Sequence, residues 1–126
     1  MAVSSEYKEF VAELLEPVGH IRIRNMFGSA GVYSGELMFG LIVAENLFLK
    51  VDELNRADYE AEEKGPFVYQ TGSGKSTAMS YHEVPERLFD EPDELMIWAR
   101  KALDAAMRAR AAKPLKASRK LPRKSR

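Results

Sequence analysis

A chain of 126 residues is the size of one domain and long enough to bury a real core. It contains no Cys, which excludes disulfides, thiolate metal sites and Cys nucleophiles, and no apolar run reaches the ~18–20 residues of a membrane helix. The zero net charge is strongly divided: residues 1–107 hold ten Lys and Arg against nineteen Asp and Glu, a charge of −9, and residues 108–126 hold nine basic residues and no acid, a charge of +9.

The N-terminus has neither a basic n-region nor an apolar h-region, so no signal peptide is expected and the expected location is cytoplasmic. Ser4 or Ser5 is placed to cap a helix whose first turn carries Glu6. Tyr7, Phe10, Val11, Leu14 and Leu15 then form one apolar helical face, which Pro17 and Gly19 end. From His20 the period changes to two. Ile21 and Ile23 alternate with Arg22 and Arg24, and the run continues to Tyr33 through Gly28 and Gly31. Glycines inside such a run suggest a bulge or a close approach of backbone.

Ser34, Gly35 and Glu36 form a turn, and the nearly continuous apolar run 37–44 reads as a buried strand. Residues 47–51 give a third strand after a turn at Glu45 and Asn46, and short links favour an antiparallel meander. Asp52 is placed to cap a second helix through Glu63, broken by Gly65 and Pro66. Residues 67–84 then read as a hairpin. After Pro85, the acids Asp90, Glu91, Asp93 and Glu94 open a last helix with Leu95, Trp98, Ala99, Ala102, Leu103 and Ala106 on one face.

The predicted order is α-β-β-β-α-β-β-α, an α+β domain with helices packed on an antiparallel sheet. Residues 1–110 are expected to form that domain. Residues 111–126, rich in Lys, Arg, Ala, Ser and Pro, are expected to be a disordered basic tail.

The segment "YQTGSGKSTAMSY" (69–81) ends its loop as a phosphate-binding loop would, with Gly74, Lys75 and Ser76. Such a loop needs a glycine at position 69, which is Tyr, and a helix starting at the Lys. Here the residues after Lys75 alternate with a period of two, as in a strand. Gly72, Ser73 and Gly74 therefore read as a hairpin tip with an exposed Lys75. A nucleotide or small-ligand site in loop 72–77 is the alternative.

Several blocks in order, "MFGSAGVYSGELMFGLIVAENLFLKVDELNR" (26–56), "PFVYQ" (66–70), "MSYHEVPE" (79–86) and "WARKALDAA" (98–106), resemble the N-terminal domain of the TfoX/Sxy family. The likeness covers roughly residues 5 to 107. The family has two glycines after Met-Phe, whereas Ser29 follows Gly28 here. The resemblance implies a two-layer α+β domain with a five-stranded antiparallel sheet. It also implies a role in regulating DNA-uptake competence, as a transcriptional co-activator working with a cyclic-AMP-responsive activator. Full-length members add a C-terminal helical domain, where this chain has its basic tail. The family offers no catalytic residues to carry over.

No catalytic motif stands out, and the expectation is a non-enzymatic module without cofactor or metal. His20 and His82 have no ligand-like spacing, and the acids 90–94 suit a helix dipole better than acid/base work. Arg22 and Arg24 should project together from a strand, either to meet an acidic partner or to protect an exposed edge. In the basic segment, Arg108, Arg110, Lys113, Lys116, Arg119, Lys120, Arg123, Lys124 and Arg126 suit non-specific DNA contact or simple solubilisation. Expected partners are thus a protein, through Arg22, Arg24 and Lys75, and DNA through the tail. A homodimer through the uncovered sheet face is a further reading.

Overall fold

The computed structural model describes residues 3–70, 74 and 76–112. The order along the chain is α1 (Ser5–Leu15), β1 (Ile21–Met26), β2 (Ser29–Ser34), β3 (Leu37–Val43), β4 (Asn46–Lys50), α2 (Arg56–Ala61), β5 (Pro66–Gln70), β6 (Ser76–Glu83) and α3 (Pro92–Ala112), with 3-10 turns at Glu16–Val18 and Glu86–Asp90. All strands pair antiparallel in one six-stranded sheet, ordered β1-β2-β3-β4-β6-β5. The helices cover one face, so the α+β architecture stands.

The strand count does not. The sheet has six strands rather than five, because the run 20–33 is two strands. Phe27 (φ 44°) and Gly28 (φ 86°) reverse the chain and set Met26 opposite Ser29. Two central residues with positive φ make the tight hairpin turn whose twist matches that of its strands. The expected irregularity does occur, but further on. A register shift between Val32 and Tyr33 against β3 inserts Phe39 into the core.

The Ser4 side chain accepts from the Tyr7 backbone N–H at 3.1 Å and caps α1. Val11 and Leu15 from α1, and Leu95, Ala99 and Ala102 from α3, meet Ala30, Val32, Ile42, Leu47 and Leu49 of the sheet. The second helix is shorter than the sequence suggested. Asp52 and Asn55 turn their side chains onto the backbone of residues 50–54 (Asn55 Oδ1 accepts from Asp52 N at 2.8 Å, Asp52 Oδ1 from Leu54 N at 3.0 Å). This competes with helix formation until Arg56.

Tyr59 closes the core from α2. Its ring lies 4.7 Å from Trp98 at 74° and 5.5 Å from His82. Its hydroxyl is buried with no hydrogen-bond partner among the described residues, and burial pushes its acid dissociation well above the usual phenol range. An unsatisfied buried hydroxyl costs about 1–3 kcal/mol. Tyr59→Phe is therefore expected to leave stability unchanged or raise it by about 1 kcal/mol, read as a urea midpoint no lower than that of the parent.

Arg87 ties the end of α2 to the start of α3. Its guanidinium grips Glu62, Glu91 at 3.0 Å and Glu94 at 2.9 Å. Arg87 holds the Glu94 carboxyl down to about 2, from 4.5. A carboxyl depressed in the folded state adds stability that is full above its unfolded value and lost as pH falls through its folded value. The stability gap between the parent and Arg87→Gln should therefore close between about pH 4.5 and pH 2, as checked by thermal melts across that range. A gap that stays constant with pH would show that the clamp is not the cause.

Candidate functional site

Register partners share a face of the sheet. One row runs across five strands on the face away from the helices: Arg24, Gly31, Leu41, Phe48 and Glu83. Its neighbours on that face are Arg22, Tyr33 and Met38 on one side and Met26, Ser29 and Val43 on the other. Among the described residues only the end of α3 (Ala106, Ala109, Arg110) borders this face, near Met38, Lys50 and Tyr81, yet Leu41 is only 3% exposed and Tyr81 only 8%. A Cβ on Gly31 would stand 3.0 Å from Tyr33, 3.1 Å from Met26 Sδ and 3.2 Å from Met38 Sδ, so these flexible groups lie over the glycine.

Toward the β1–β2 turn the face opens into an apolar groove of about 650 Å³, lined by Met26, Phe27, Leu41, Val43, Phe67 and Met79 among others. Phe48 and Phe67 meet edge-on at 5.3 Å along it. Phe27, at the rim, is fully exposed.

Among the described residues the sheet is locally basic, although the body is acidic. The strands carry Arg22, Arg24 and Lys50 against a single carboxylate, Glu83. Arg22 and Arg24 flank the Tyr33 ring at 5.8 and 5.6 Å, and Arg22 Nε donates to the Gly35 carbonyl at 3.2 Å. Both are exposed on the edge strand β1, as the alternation with Ile21 and Ile23 predicted. Lys50 sits 5.2 Å above Tyr81 and donates to Ser80 Oγ at 2.7 Å.

The other sequence candidates scatter. Arg108 and Arg110 lie on α3 rather than beyond it. Arg108 is engaged by Asp52 through a two-point pair at 2.7 and 3.0 Å, which lowers the Asp52 carboxyl. Lys75, Lys113, Lys116, Arg119, Lys120, Arg123, Lys124 and Arg126 fall outside the described residues. The strand β6 starts at Ser76 and Gln70 pairs with Ser76, so the chain after Lys75 is not the helix that a phosphate-binding loop requires.

His82 is buried, its Nδ1 3.0 Å from the Lys64 carbonyl, which can only accept, so Nδ1 is the donor. His20 is exposed at the start of the sheet, far in sequence and register from His82. Among the described residues no three His, Cys, Asp or Glu side chains converge as a metal site, and no helix is long and apolar enough to cross a membrane. A second groove of about 300 Å³ is lined by Tyr7, Phe10, Phe89, Glu45, Glu83 and Lys64, among others. Burial, then Glu45 and Glu83, pushes the Tyr7 hydroxyl up to about 12, so it stays protonated. Among the described residues, neither concavity pairs a nucleophile with a base.

The family model for the TfoX N-terminal domain matches residues 13–106. The chain belongs to this family. The match spans all six strands, α2, most of α3 and the last turn of α1, so the sheet face and its Arg rim lie inside the TfoX N-terminal domain. No curated protein matches the chain in sequence.

The groove residues were missed by sequence reasoning, although one signal was present. The apolar run 37–44 belongs to a strand buried on both sides, while the predicted helices could cover only one side.

Proposed function

We propose that the chain is a non-enzymatic regulatory module of the TfoX type. It binds a protein partner through the folded domain and contacts DNA without sequence preference through the basic segment at its C-terminal end. The observation that carries this reading is the separation of charge. An acidic body repels DNA, so phosphate contact falls to the segment from Arg108 onward, and the body is left to bind protein. Membership of the TfoX N-terminal domain family supports a regulatory role. The lack of a paired nucleophile and base in either groove fits binding better than turnover.

The partner named by the family resemblance is a cyclic-AMP-responsive transcription activator. Calorimetric titration of the activator from the same cell, with cyclic AMP and promoter DNA, tests it. Saturable heat at one chain per activator subunit is the expected result. No heat under any of these conditions would remove that partner.

A further inference from the structure

We infer that the uncovered sheet face is the docking site for an amphipathic helix of a protein partner, one whose apolar side is flanked by carboxylates. This deepens the regulatory-module reading and rests on it. Three observations converge on the occupant. The groove beside the β1–β2 turn is apolar, about 650 Å³, and rich in Met and Phe side chains, the flexible lining that lets a groove accept a helix's apolar ridge. Its border is basic, because Arg24 lies two residues from Met26 on the same strand and face, with Arg22 beyond it. That border stands on a body whose residues 1–107 carry −9, so the rim gives the groove a local attraction for carboxylates that the body as a whole lacks. A nucleic acid, charged along its whole length, would meet Glu83 and the acidic body as well.

The third observation is Phe27. A bulky residue rarely takes a positive φ, yet Phe27 holds φ 44° and exposes its whole ring to water at the groove's rim. Asn at this position would suit the turn better, since Asn followed by Gly is the preferred pair there. A locally unfavourable residue at the lip of an apolar groove points to function. The ring is placed to close over a bound apolar side chain.

The test uses the full chain with Met methyl groups labelled for NMR, and two helical peptide probes with identical Leu and Phe ridges. One probe is flanked by Glu and its twin by Lys. The Glu probe is expected to saturate the protein and shift the Met26, Met38 and Met79 methyl signals, with the twin at least tenfold weaker. The methyl signals separate docking on the face from attraction to the basic segment. Phe27→Asn should raise Tm by about 3 °C and weaken the Glu probe at least tenfold. Arg24→Glu should weaken it similarly and restore binding of the Lys twin.

Equal affinity for the two probes, or unchanged binding by Phe27→Asn, would overturn the assignment. So would the same methyl shifts on adding an oligonucleotide, or on concentrating the chain alone, which would mark the face as a nucleic-acid or self-association surface. Activator binding that survives both substitutions leaves the module reading intact and removes this face from it. Docking of the Glu probe without activator binding keeps the face and removes only that named partner.

Discussion

Replacing Trp98 by Ala is expected to lower stability by about 3–5 kcal/mol, a large part of the 5–15 kcal/mol typical of a domain. Trp98 is the only Trp in the chain and is 7% exposed. It stacks edge-on against Tyr59, which in turn meets His82. The three side chains come from α3, α2 and β6, so the ring joins the elements that the sheet order separates. Truncation therefore removes the aromatic packing against Tyr59 and leaves a void where α3 meets the core. Urea unfolding followed by far-UV circular dichroism reads the loss as a lower midpoint with an unchanged slope. Trp98→Phe keeps the aromatic contact and should lose less than half as much. If the two substitutions cost the same, the edge-on contact with Tyr59 would not be the dominant contribution.

That position illustrates what the sequence discloses. The three-and-four spacing of Leu95, Trp98, Ala99, Ala102, Leu103 and Ala106 was enough to place the face of α3, and all are buried except Leu103, which is half-buried. The hairpin reading of the loop around Gly74 followed from the alternation after Lys75, and β5 and β6 do pair there. The β1–β2 turn was illegible for a physical reason. Turns of this kind are signalled by Asn, Asp or Gly, and Phe27 is an apolar residue at a turn position, so the run looked continuous. The hydrogen bonds that delay α2 involve Asp52, Asn55 and the backbone of Lys50 together. Each is an ordinary residue until the chain folds them onto one another.

The candidate face was hidden more deeply. Its row of Arg24, Gly31, Leu41, Phe48 and Glu83 is assembled from five strands. A one-residue error in any register would move part of it to the core side. Arg22 and Arg24 could be seen as a pair, but their stacking on Tyr33 and their position beside an apolar groove depend on pairing that no local pattern specifies.

A chain ending at Ala112 is expected to lose DNA affinity by three orders of magnitude or more at low salt. This end point keeps α3 whole and leaves the Arg108–Asp52 pair in place. It removes Lys113, Lys116, Arg119, Lys120, Arg123, Lys124 and Arg126, and so shifts the net charge from zero to −7. Each phosphate neutralised by the full chain releases counterions, so up to seven contacts give a slope of log affinity against log salt of about −6. Between 50 and 200 mM salt the full chain should then weaken by about a thousandfold or more. Residues 113–126 contain no aromatic side chain, so affinity should be equal for unrelated duplexes. Fluorescence anisotropy over a salt series measures all three quantities. A shallow slope, or equal binding by the shortened chain, would move DNA contact to the folded domain, where the Arg22 and Arg24 rim offers two exposed cations side by side. The two surfaces would then compete for one ligand, whereas a steep slope lost with the segment leaves the sheet face free to hold a protein while the chain is on DNA.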